Sequence, residues 1–147
     1  MMDDVFYMNL ALREARKAFV EGEVPIGAVI VADGRIVASA HNMTQALTDV
    51  TAHAEMLALT AAQSALGKYL GGATLYVTVE PCLMCAGAIG WARPARVVYA
   101  TPEPRIGYTT FVERSPCHPS TVVTYGVCAD AAKDLMQEFF KNKRKKY

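Results

Sequence analysis

An α/β fold, with helices on the faces of a partly parallel sheet, is predicted by three observations. The first is a strand–helix–strand run: the apolar, β-rich stretch Ala73–Val79, a helix opened by Pro81, and the apolar stretch 95–101. Strands joined by such a crossover lie parallel, with the helix on a sheet face. The second is Asp33-Gly34 between two β-branched runs, a tight-hairpin signal. The third is helical periodicity at both ends of the chain. At 147 residues, half of them apolar and a fifth charged, the chain has the size of one domain, residues 1–147. It can bury about two-thirds of its unfolded surface.

In chain order, residues 4–21 read as an amphipathic helix. Val5, Met8, Leu12, Ala15 and Phe19 recur at three and four, Arg13, Glu14, Arg16 and Lys17 take the wet side, and Gly22 stops it. Residues 25–31 form a buried strand and 35–41 return as its hairpin partner. His41 reads as a surface or strand-end histidine, and Asn42 beside it as a turn residue. Residues 52–66 make a helix with Thr51 as its N-cap and Met56, Leu57 and Leu59 in the core, ended by Gly67. After the strand at Ala73–Val79 comes a helix in which Pro81 suits the first position, where its missing N–H would be unpaired anyway. It ends near Trp91, and residues 95–101 form a further strand. Residues 102–119 hold four of the seven prolines and read as a long loop, which in a small domain is functional or mobile. Residues 120–125 suit an edge strand and 129–147 a last helix with Leu135, Met136, Phe139 and Phe140 on its apolar side.

Chemistry concentrates in two places. Cys82 and Cys85 stand three apart at a helix start, where partial positive charge favours thiolate. Alone, Cys-x-x-Cys fits a redox pair or half of a structural zinc site better than a catalytic one. His53 adds a third ligand, and three ligands with an open fourth position is the catalytic zinc pattern. Glu55, two residues on, points elsewhere than His53 and can carry a proton for a water held at the metal. Cys117 and His118, adjacent in sequence, cannot easily chelate one ion and read as packing and turn residues. Cys128 reads as a small buried hydrophobe.

The pairing of His53-Ala54-Glu55 with Pro81-Cys82-Leu83-Met84-Cys85 is similar to that of the zinc nucleobase deaminases. Over nearly the whole chain the sequence resembles the bacterial tRNA adenosine deaminases, of the cytidine deaminase-like fold. The resemblance also runs through Glu23-Val-Pro-Ile-Gly-Ala-Val-Ile30, the stretch from Ala73 to Ile89, and Asp134-Leu-Met-Gln-Glu-Phe-Phe140. It implies a three-layer α/β/α sandwich with a five-stranded mixed sheet. It implies one Zn2+ per subunit on His53, Cys82 and Cys85, with Glu55 catalytic, and hydrolysis of adenosine to inosine at the wobble position of a tRNA anticodon. The Ala54 N–H and Asn42 would contact the nucleotide, Pro25 and Ile26 would wall the pocket, and the anticodon stem-loop would cross residues 102–119 and the last helix. A homodimer is implied as well. The chain departs from the family at Ala100-Thr-Pro-Glu-Pro-Arg-Ile-Gly107, where Glu103 replaces an RNA-contacting Asp and two prolines stiffen the segment.

Charge is uneven. Five of the fifteen cations fall in the last seven residues, leaving ten against fourteen acidic side chains elsewhere. Such a tail reads either as a solvated helix end complementing the dipole or, with Phe139 and Phe140 for stacking, as a nucleic-acid edge. Four cysteines in a domain this size are no disulfide framework, and no long apolar run marks a membrane span or signal peptide; a reducing cytoplasm is expected. Two other functions use these residues. One is deamination of a free base or nucleoside, such as guanine or cytosine. The other is a non-catalytic zinc or RNA-binding module, which would not require Glu55.

Overall fold

The structure, a computed structural model, describes residues 3–146. Along it run α1 (Asp4–Val20), β1 (Gly27–Ala32), β2 (Arg35–His41), α2 (Ala54–Leu66), β3 (Ala73–Val79), α3 (Leu83–Ala92), β4 (Arg96–Thr101), α4 (Tyr108–Phe111), β5 (Val122–Tyr125) and α5 (Ala129–Lys146). The strands form one mixed sheet in the order β2-β1-β3-β4-β5. Pairing is antiparallel from β2 to β3 and parallel from β3 to β5. This is the five-stranded mixed sheet with helices on its faces that the resemblance implies. The hairpin turns at Asp33 and Gly34, whose φ of 51° and 71° place both in the left-handed region that a primed turn needs.

Strand alternation sorts the core into two halves. Ala28, Ile30, Leu75, Val77, Val97 and Tyr99 pack with α2 and α3. Val29, Val31, Tyr76, Val98 and Ala100 pack with α1 and α5. Successive side chains on a strand point to opposite faces, so β1, β3 and β4 each feed both halves. Alanines line the helix faces that meet the sheet: Ala11, Ala15 and Ala18 on α1, and Ala54, Ala58 and Ala62 on α2, all without exposed surface. Short side chains let both helices lie close to the strands.

Several expectations shift. On α1, Val5 is half exposed, and Tyr7 and Ala11 take core places instead. Glu14 leaves the wet side: it is buried, bonded to Lys17, and within 3.4 Å of His41 Nδ1. His41 Nε2 lies 2.9 Å from Glu21 Oε2, so this histidine ties β2 to α1. On α2, Met56 and Leu57 are only half-buried, because the alanine row faces the sheet. Helix α2 starts two residues later than expected with His53 as N-cap, and Thr51 bonds Asp49 instead. Pro81 lies before α3, not in it; Cys82 is the N-cap. The segment 102–119 is no open loop, since α4 forms inside it. Strands β1, β4 and β5 start one or two residues later than the sequence suggests. Cys128 is half-buried at φ 60°. Ser120 N–H bonds His118 Nδ1 in a turn, and Cys117 packs on the core. Tyr147 and the side chains of Lys145 and Lys146, expected in the basic run, lie outside the described residues.

Helix α1 is stapled to the sheet by Asp4. Arg96 donates to both its carboxylate oxygens, at 3.0 and 2.8 Å, and the Tyr76 hydroxyl donates at 2.7 Å. The Arg96 hydrogen bonds hold the Asp4 carboxyl below its ordinary range. A depressed carboxyl stabilises the fold above its unfolded pKa, and that contribution disappears as pH falls through the folded one. Asp4→Asn is therefore expected to lower Tm by about 3 °C at pH 7, reflecting a partly exposed bidentate pair worth about 1 kcal/mol. The gap from the wild type should close on acidification below about pH 4, as followed by thermal melts.

Candidate active site

The parallel strands β3 and β4 end at one edge of the sheet, and the N-termini of α2 and α3 meet there. His53 is the N-cap of α2 and Cys82 the N-cap of α3, both with extended backbone. Cys85 is the third residue of α3 and fully buried. His53 Nδ1 lies 3.6 Å from Cys82 Sγ and 3.5 Å from Cys85 Sγ, and the three donor atoms lie within 4.8 Å of one another. A tetrahedral zinc with bonds near 2.0 Å to nitrogen and 2.3 Å to sulfur separates N from S by about 3.6 Å. The donor set therefore fits one zinc ion per chain. Three protein donors leave the fourth direction free for water.

Charge in this corner follows from hydrogen bonding and burial. Hydrogen bonds from Cys85 first, and from His53, pull the Cys82 thiol down to about 4, into thiolate. The same Cys82–Cys85 bond, with burial, pushes the Cys85 thiol up. The bond to Cys82 raises His53. Glu55 sits in the first turn of α2, 3% exposed, and burial pushes its carboxyl up to about 7. A carboxyl poised there can both take and give a proton near neutral pH.

His53, Glu55 and Cys82 open into a cavity of about 230 Å³, the scale of one nucleobase. Val24, Ile26, Glu103, Ile106, Met136 and Phe140 supply much of its wall. It shares Glu103, Arg105, Met136 and Phe140 with an outer groove of about 650 Å³, which adds Lys133, Lys141 and Arg144. Arg105 stacks over the Phe140 ring at 5.5 Å.

The structure thus brings His53, Cys82, Cys85, Glu55, Ile26, Glu103 and Phe140 together. It separates others of the expected set. Pro25 is buried and does not line the cavity; Val24 and Ile26, on either side of it and joined by an Ile26 N–H to Val24 O bond of 2.8 Å, line it instead. Phe139 is buried edge-on against Phe19, because adjacent helix residues point about 100° apart. Ala54 is fully buried outside the lining. Asn42 is also outside it, yet its Oδ1 is buried with no hydrogen-bond partner, the one such side-chain atom among the described residues. Sequence reasoning missed Val24, Arg105 and Met136, and above all Glu80, buried in the cavity wall. The signal for Glu80 was present: a carboxylate closing an apolar central strand needs buried donors.

The zinc-binding region of cytidine and deoxycytidylate deaminases matches residues 1–101, which include all three metal ligands and Glu55. The chain belongs to this zinc-dependent deaminase family. It is 44% identical over 98% of its length to a tRNA-specific adenosine deaminase of Agrobacterium fabrum, and covers 98% of that protein. A solved structure from work on A-to-I editing by tRNA deaminases at the wobble position of transfer RNA matches 88% of the chain and 98% of its own, with TM-score 0.82 and 44% identity. A guanine deaminase structure from Bacillus subtilis matches 69% of the chain and 66% of its own, with TM-score 0.66 and 41% identity. Membership makes this chain a zinc-dependent hydrolytic deaminase.

Removing one donor should empty the site. In Cys85→Ser, zinc measured by elemental analysis is expected to fall from about one ion per chain to near none, with loss of turnover.

Proposed function

We propose that the chain hydrolyses adenosine to inosine at the wobble position of a tRNA anticodon, releasing ammonia. The observation that carries this reading is the joining of two spaces. A base-sized cavity holding His53, Cys82 and Glu55 opens into a groove lined by Arg105, Lys133, Lys141 and Arg144. A free base needs only the first space. A nucleotide within a polyanion uses both, its phosphates meeting the cations and its unstacked base entering the cavity. The names of the relatives support the same substrate.

His53, Cys82 and Cys85 hold the metal. Zinc bound there supplies Lewis-acid activation of water, bringing its pKa toward about 7. Glu55 receives the proton of the attacking water, delivers it to the purine ring nitrogen beside C6, and assists departure of the amine. Its burial keeps bulk water from competing for that proton. The buried amide oxygen of Asn42 accepts a donor from the nucleotide, as a buried acceptor left unpaired costs about 1–3 kcal/mol. The backbone N–H of Ala54 contributes at the helix N-terminus. Ile26 and Phe140 clasp the base between apolar surfaces, and Glu103 contacts the ribose side.

The protein works as a homodimer in the cytoplasm. Support for pairing comes from α3, which carries no charged residue and exposes Leu83, Met84 and Trp91 on one face with Phe111 near it. No helix among the described residues is long and apolar enough to cross a membrane. A second reading, guanine deamination, has the likeness to the Bacillus subtilis enzyme in its favour. Ammonia release from guanine without RNA would select it.

Three outcomes are expected. Zinc-loaded protein should form inosine in an anticodon stem-loop, read by sequencing, at rates that fall with added salt. Glu55→Gln should keep its zinc and lose roughly 10²- to 10⁴-fold in kcat. Trp91→Glu should weaken dimerisation by at least about 30-fold, the loss of a buried tryptophan anchor, and light scattering should then report the 16.0 kDa chain as a monomer at micromolar concentration.

A further inference from the structure

We propose that Glu80 is a positioning residue: its buried carboxylate sets the 103–109 segment as the substrate-facing wall of the cavity. The inference rests on the deaminase reading and concerns how that site is held. Glu80 follows β3 and precedes Pro81 and the metal ligand Cys82, and is 5% exposed. Its Oε1 accepts the Glu103 N–H at 3.1 Å. Its Oε2 accepts the Thr109 N–H at 3.0 Å and the Thr109 hydroxyl at 2.7 Å. Among the described residues no cation pairs with it, so these donors are what satisfies the buried charge.

The bonds join a wider clamp. Glu80 N–H donates to Thr101 O at 2.8 Å, Tyr108 N–H donates to Pro81 O at 2.9 Å, and Gly107 bridges to Cys82. A Cβ at Gly107 would collide with the Glu80 carboxylate, so any larger residue where the segment crosses it would have to push that carboxylate off its hydrogen bonds. Residues 80–82 and 103–109 therefore lie against each other as two short straps. One strap carries a metal ligand. The other carries Glu103, Arg105 and Ile106, which line the cavity. The prolines at 102 and 104 stiffen the second strap, but stiffness does not choose its place. The carboxylate does, by accepting from both ends of the turn. Losing it frees the wall without removing a metal ligand or Glu55.

Zinc-loaded Glu80→Gln and the milder Thr109→Val are compared with the wild type on an anticodon stem-loop. Amide hydrogen exchange is followed at Glu103 and Thr109. Loss of a charge-accepting bond predicts a KM raised about tenfold in Glu80→Gln, with kcat within about threefold and zinc content unchanged. Thr109→Val should raise KM less, and in Glu80→Gln both amides should exchange faster. Unchanged KM in both variants overturns the proposal, as does a fall in kcat at unchanged KM. If Glu80→Gln does not fold, Thr109→Val decides through KM and exchange. A wild type that makes no inosine removes the substrate reading alone; amide exchange then still decides whether Glu80 sets the segment.

Discussion

Everything in this molecule depends on one meeting: a histidine nitrogen brought within 3.6 Å of two sulfurs that belong to a different helix. Two helix N-termini do not approach each other willingly, since both carry partial positive charge. Sulfur as thiolate, and the metal's own preference for such donors, make the approach favourable. The sheet supplies the geometry. Strands β3 and β4 run parallel and end together, so the turn leaving β3 delivers Cys82 to the edge. The hairpin on the other side of β3 runs antiparallel and returns the chain to the same edge at His41 and Asn42. From there a short loop reaches His53.

That edge is also where buried carboxylates collect. Glu23, Glu55, Glu80 and Glu103 are each less than a tenth exposed. Glu23 accepts the Gln45 and Ala46 N–H groups at 2.9 and 2.8 Å, and so holds the loop between β2 and α2. Glu80 does the equivalent for the segment after β4, and Glu103 accepts the Arg105 N–H at 3.0 Å. Glu55 differs. Burial dominates its surroundings, and its carboxyl is lifted to about 7. Three of these side chains accept N–H groups and hold loops in place, whereas Glu55, lifted by burial, can exchange a proton.

How much of this was legible beforehand depends on what each feature rests on. Strands β2 and β3 have the bounds expected of them, because alternation between turn residues is a local signal. The ligand triad was legible because residue identity itself encodes the chemistry at His53, Cys82 and Cys85. Phase was not. Nothing local distinguishes Phe139 from Phe140, and only the packing of α5 on α1 buries the first and turns the second to the cavity. The same holds for Pro25 against Val24, and for Glu14, whose buried position follows from contact with β2. The partners of Glu80 stayed hidden because they lie 23 and 29 residues away, at positions no period connects.

The spacing of the strands along the chain has a consequence for synthesis. Strands β1 and β2 can pair as soon as both have left the ribosome, since they are joined by a two-residue turn. Strand β3 docks on β1 only after α2 has been made, and the bridge from Cys82 to Gly107 forms only once residue 107 has been added. The order of translation thus puts all three metal ligands, the last at position 85, on the chain before the residue that bridges Cys82.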